Sequence, residues 1–180
     1  MVEPAPTRRL FFALWPDAAV RSEIIRQFEQ MPQFRMQAHN MQPNNLHLTL
    51  HFMGNVAADQ AGCMQRAAQT LRGAAFDVQL DTVGYFQQPK IFWMGCSDMS
   101  AGMQALHQQL ADALLPCDYR AESRPFTPHV TLLRKLSEPG ELIAFKSILW
   151  SVKAFSLIES LPSSDDVIYR PLKNYFLLSA

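Results

Sequence analysis

Two short segments with the same rhythm constrain this chain more than anything else in it. Leu46-His47-Leu48-Thr49-Leu50 and Pro128-His129-Val130-Thr131-Leu132 each alternate apolar and polar residues. In a β-strand such alternation sends positions i and i+2 to one face. His47 and Thr49 therefore point together, as do His129 and Thr131. Leu46, Leu48 and Leu50 on the first segment, and Val130 and Leu132 on the second, turn to the opposite, buried face. Each strand thus offers an imidazole and a hydroxyl on one side, suited to holding a phosphate, while its other side packs into a core.

The rest of the chain supplies elements for such strands to pack against. Residues 1–7 have no periodic pattern and are expected to form a flexible tail, followed by a strand over 8–14. Pro16 and Asp17 are helix-start residues, and Val20, Ile24, Phe28 and Met31 recur at helical spacing until Pro32. The polar stretch 34–45 is expected to hold a short edge strand and a loop that delivers the first His strand, 46–53, which Gly54 and Asn55 close. A second helix is expected over 58–71, with Asp59 near its start and Met64, Ala67, Ala68 and Leu71 on one face. Phe76, Val78 and Leu80 alternate, 91–96 is apolar, and Gln87–Lys90 between them has the character of a hairpin turn. Met103, Leu106, Leu110 and Leu114 mark a third helix from Ser100 to Pro116. An Arg-bearing loop, 118–127, leads into the second His strand, and runs over 149–159 and 167–178 are expected to pair as closing strands. Periodicity alone therefore gives a mixed α+β domain.

Composition narrows the function classes. At 180 residues and 48% hydrophobic, the chain can build one domain with its own core. The 16 basic residues are matched by 16 acidic ones, which argues against a broad basic face that tracks along polynucleotides. Cys63, Cys96 and Cys117 are odd in number and widely spaced, so neither a disulfide framework nor a zinc cluster is expected, and a cytoplasmic setting fits. The apolar run Leu10–Trp15 is cut short by Pro16 and Asp17, and no segment is long enough to span a bilayer.

The two H-x-T motifs, with their flanks, resemble those of the 2H phosphoesterases, and among these the bacterial RNA 2',3'-cyclic phosphodiesterases first described as 2'-5' RNA ligases. The similar segments are Arg9-Leu-Phe-Phe-Ala-Leu, Asn45-Leu-His-Leu-Thr-Leu-His-Phe-Met-Gly54, Arg124-Pro-Phe-Thr-Pro-His-Val-Thr-Leu-Leu-Arg134 and Tyr169-Arg-Pro-Leu-Lys173. The resemblance implies two pseudo-symmetric lobes of antiparallel sheet with helices outside, facing across a central cleft, in a single bilobed domain over 1–180. It implies a phosphoric diester hydrolase that opens RNA or nucleotide 2',3'-cyclic phosphates to 2'-phosphates and can reversibly form 2'-5' linkages. His47 and His129 are then catalytic, acid and base respectively, and Thr49, Thr131 and Arg134 bind the substrate. No cofactor and no metal is implied. RNA ends or small nucleotides are the expected partners, the protein a monomer without a membrane.

The chemistry is consistent with those residue types. Opening a cyclic phosphodiester needs a base for the attacking water and an acid for the leaving ribose oxygen, placed on opposite sides of phosphorus. Imidazole, with an ordinary pKa of about 6.5, lets one ring begin neutral and the other protonated. Threonine hydroxyls and a cation can hold the non-bridging oxygens. His51, at i+4 from His47, raises a three-imidazole metal site with His129 as an alternative; because relatives vary at this position, it is expected to be a cleft-wall or surface side chain. His39 and His107 are expected on the solvent side. Arg120, Arg124 and Lys135 accompany Arg134 around the second motif. Phe11, Phe12, Trp15, Trp93 and Trp150 suit a core, and a base-stacking platform at the cleft rim would fall to Phe126 or Tyr169. The remaining alternatives are the same fold acting on another cyclic phosphate or a 2'-5' oligonucleotide, and a catalytically silent RNA- or nucleotide-binding module.

Overall fold

The computed structural model describes residues 6–31, 39–138, 145–163 and 167–178. The expectations for the tail over 1–5, for 34–38 and for the His39 side chain lie outside the described residues. Ten strands and three helices follow one another as β1 (Thr7–Leu14), α1 (Ala18–Glu29), β2 (His39–Asn40), β3 (Leu48–Ala57), α2 (Ala58–Gln69), β4 (Phe76–Leu80), β5 (Thr82–Phe86), β6 (Ile91–Gly95), α3 (Ala101–Leu114), β7 (His129–Arg134), β8 (Ile148–Val152), β9 (Ala154–Pro162) and β10 (Val167–Phe176). Local chemistry sets several of these boundaries. The Asp17 carboxylate accepts the Val20 amide at 2.9 Å and opens α1, and Ser100 caps α3 in the same way.

Eight strands form one antiparallel sheet in the order β10-β9-β1-β3-β7-β6-β5, with β2 also paired to β7. Its two halves, β10-β9-β1-β3 and β7-β6-β5, meet where Leu48 faces Val130. The second sheet pairs β4 with β8. This differs from the expected hairpin, because β5 lies between β4 and the Gln87–Lys90 turn and takes β6 as its partner. The helices pack on one side of the large sheet, α2 against β1, β3 and β10, and α3 against β3 and β4. Leu10, Phe12, Leu14, Leu48, Val130 and Leu133 point into that side and are fully buried. On the other side Phe11, Ala13 and Ile158 form a separate small cluster bordered by Trp15 and Tyr169.

One correction concerns the cysteines near this framework. Cys63 and Cys117 are joined by a disulfide that ties α2 to the turn after α3, whereas the cysteine pattern suggested none. Widely separated cysteines gave no sign of a pair because the approach of α2 to α3 is a tertiary event; Cys96 remains a free thiol. Among the described residues, no helix is long and apolar enough to cross a membrane.

Candidate active site

The single register pair Leu48–Val130 decides the geometry of the site. Continuing that register by one residue each way puts His47 beside Thr131 and Thr49 beside His129. The residues flanking that pair point away from Leu48 and Val130, so the four polar side chains lie on one side of the sheet, with one histidine from each strand. The two rings lie close enough for a charge on His129 to disfavour a second one on His47.

Both imidazoles are oriented in the same manner. His47 Nδ1 lies 2.6 Å from the Asn45 carbonyl, and His129 Nδ1 lies 2.7 Å from the Thr127 carbonyl. A carbonyl only accepts, so Nδ1 carries the proton in each ring and Nε2 keeps its lone pair for the substrate. The Asn45 side chain donates to the Val167 carbonyl at 2.7 Å, tying the loop before β3 to the start of β10. Asn45 and Thr127 were not singled out from the sequence, although the signal was present. The polar alternation extends one position further back in both motifs, as Asn45-Leu-His47 and Thr127-Pro-His129.

Aromatic rings enclose the two histidines. Trp15 stacks on His47 at 5.4 Å between centroids and 8° between planes, while Phe11 and Tyr169 approach at 4.9 Å each. Phe86 meets His129 edge-on at 5.0 Å, with Trp93 at 6.0 Å. Trp15 and Trp93, expected in the core, therefore lie on the functional face, where Phe11 is buried in the smaller cluster; Phe12 and Trp150 are core residues as expected. Gly84 is what lets Trp93 lie flat over β5, since a Cβ there would come within 2.2 Å of the indole.

Burial is the largest influence lowering the pKa of His47, to about 4, with the nearby Arg134 and His129 charges adding to it against the bond to Asn45. His129 is lowered for the same first reason, aided by Arg134 and opposed by its bond to Thr127. Both rings are thus biased toward the neutral form in the free protein, and the expected protonated partner requires the negative charge of a bound phosphate. Arg134 lies near both, its Nε directed at Met41 Sδ at 3.3 Å. Two other cations of this region are engaged elsewhere: Arg120 with the carbonyls of Leu115 and Tyr119, Arg124 with Glu122.

His51 does not join His47. A bulge places both Leu50 and His51 opposite the step from Phe12 to Ala13, so the strict alternation stops after Thr49. His51 turns to the helix side, 3% exposed, where Nδ1 meets the Tyr119 hydroxyl at 3.2 Å and Nε2 the His107 carbonyl at 2.9 Å. It lines the wall of the cavity beside Thr49, as expected, and it does not join His47 in a three-imidazole metal site. His107, expected toward solvent, is stacked between His51 and Phe126. Among the described residues, no group of three or more His, Cys, Asp or Glu side chains is placed to hold a metal.

Two H-x-T strands side by side, each histidine held by a carbonyl two residues earlier, form the arrangement expected of a 2H phosphoesterase. The chain belongs to the 2'-5' RNA ligase superfamily, whose sequence profile matches residues 15–161. It is 32% identical over 180 residues to the RNA 2',3'-cyclic phosphodiesterase of Escherichia coli, covering 98% of this chain and 99% of that protein. The crystal structure of E. coli LigT in apo form superposes with a TM-score of 0.86 at 29% identity over 97% of this chain and 99% of that one. E. coli LigT complexed with 3'-AMP gives the same score at 30% identity, over 96% of this chain and 99% of that one.

Proposed function

We propose that this protein is a metal-independent RNA 2',3'-cyclic phosphodiesterase that leaves a 2'-phosphate. The observation that carries the reading is the pair of imidazoles on adjoining strands with both Nδ1 atoms committed to carbonyls. His129 Nε2 takes a proton from water as its oxygen attacks phosphorus. The P–O3' bond breaks on the far side, and His47 Nε2 gives its proton to O3'. Thr49 and Thr131 hydroxyls and the Arg134 guanidinium hold the non-bridging oxygens while charge builds on them. The bound phosphate anion supplies what the free protein lacks, raising the affinity of His47 for its proton. The same site run with a 5'-hydroxyl in place of water makes a 2'-5' linkage. The enzyme acts as a monomeric single-domain protein on RNA ends or small nucleotides bearing the cyclic phosphate.

The test is turnover of a nucleoside 2',3'-cyclic phosphate in the presence of a chelator by the parent, His47→Ala and His129→Ala proteins. Turnover by the parent alone, to a 2'-phosphate, supports the reading. Inhibition of the parent by chelator, or binding of the nucleotide without turnover, overturns it.

A further inference from the structure

After pairing at Leu48 and Val130, β3 and the chain entering β7 diverge. A cavity of about 570 Å³ opens between Thr49–Phe52 and Arg124–His129. Among the described residues it is lined at one end by Thr49 and His129, and not by His47, Thr131 or Arg134. Its walls are aromatic, with Phe52, Phe86, His107 and Phe126. Phe126 ends a column of rings: it stacks on His107 at 4.0 Å and 15°, and His107 stacks on His51 at 4.1 Å and 25°. His51 is anchored through both ring nitrogens. Phe126 is therefore held from behind in a set plane, which is what a nucleobase stacks upon.

Water needs no chamber of this size or lining, whereas a nucleoside fits it. The cavity adjoins His129, and this inference rests on the reading above that makes His129 the base. The nucleophile then arrives from this side. The terminal nucleoside, bound to phosphorus through O2' and O3', lies toward His47.

We propose that the cavity is an acceptor subsite for the nucleoside whose 5'-hydroxyl replaces water. The 5'-oxygen bonds to phosphorus and the P–O3' bond breaks. His129 takes the 5'-hydroxyl proton, His47 delivers one to O3', and a 2'-5' diester results. In the reverse direction the 3'-hydroxyl attacks, its proton passes to His47, and His129 protonates the departing 5'-oxygen. The nucleoside occupying the cavity then leaves.

The experiment compares adenylyl-(2'-5')-adenosine with the adenosine 2'-(methyl phosphate) diester, in which methyl replaces the second nucleoside, and with adenosine 2',3'-cyclic phosphate. The parent is expected to cleave the dinucleotide with a kcat/KM at least about tenfold above the methyl ester. Phe126→Leu should lower that preference severalfold, and Phe126→Trp should keep it. An unchanged preference in Phe126→Leu overturns the proposal. So does a loss on the cyclic phosphate equal to that on the dinucleotide, which would place the terminal base in the cavity. If Phe126→Leu fails to fold, the parent decides alone, and equal cleavage of dinucleotide and methyl ester overturns the proposal. Failure of the parent to open the cyclic phosphate at all is a different result and removes the phosphodiesterase reading itself.

Discussion

His51 stands in the first half of the sheet where Leu133 stands in the second. Each follows an H-x-T-Leu segment, and each half has a bulge at that point, Leu50 in β3 and Leu132 in β7. Both residues turn to the helix side, where Leu133 is fully buried and His51 is 3% exposed. His51 is thus a histidine in a leucine position. Its pKa is lowered, by burial first, and that of its stacked neighbour His107 is lowered to about 4. A base whose pKa falls on folding leaves the unfolded chain binding more protons. Stability is then present above the unfolded value of about 6.5 and is lost as pH falls below it. His51→Leu should flatten the decline of Tm between about pH 7 and pH 5, at the cost of leaving the Tyr119 hydroxyl without its partner. Thermal melts across that range check this; an undiminished slope contradicts it.

Removing either active-site ring should lower kcat by about 10²–10⁴-fold, with little change in Tm. Asn45→Ala differs in kind, because the carbonyl that holds His47 remains while the bond to Val167 is lost. A stability loss of about 1–3 kcal/mol should accompany a kcat loss smaller than that of His47→Ala. Denaturant unfolding and steady-state kinetics on the same preparations separate the two effects.

Arg134 acts on the titration of both imidazoles. Its charge helps to lower the pKa of both His47 and His129, so kcat/KM should peak on the acid side of about 6.5. His129 must be neutral, and activity falls as pH drops through its pKa; His47 must be protonated, and activity falls as pH rises through its own. Arg134→Gln should move the acid limb of kcat/KM upward and raise KM. In the parent, the alkaline limb of kcat should lie at higher pH than that of kcat/KM, because the bound anion favours protonated His47. The two limbs belong to a coupled pair, and a pH–rate series on both proteins measures them.

The Cys63–Cys117 bond closes a loop with a sequence separation of 54, for which loop-closure entropy gives about 4 kcal/mol as the model value. Reduction, or Cys63→Ser with Cys117→Ser, should lower Tm without abolishing turnover, since the sheet carrying the histidines does not use the bond. Melting and activity with and without reductant check both halves of that statement.

Gly84→Ala should disturb the site through its floor. The added methyl group meets the Trp93 ring, and the indole must tilt toward His129. A change in Trp fluorescence together with reduced kcat is expected, and retained kcat with an unchanged spectrum contradicts it.

Alternation was enough to put His47 with Thr49, and His129 with Thr131, on one face of each strand, because a period of two is a property of the strand itself and needs no partner. Helical spacing similarly revealed α1, α2 and α3 to within a few residues. What alternation cannot contain is the point at which it stops. The bulge that sends His51 away from His47 arises from pairing with β1, and the same is true of β7 against β6. The partner of β4, the bond between Cys63 and Cys117, and the aromatic enclosure of each imidazole also depend on which elements meet. The sequence alone determined which polar residues share a side of each strand; only the tertiary structure decided that the two pairs meet on one face, because that rests on the register of β3 against β7, residues brought together from opposite ends of a long intervening chain.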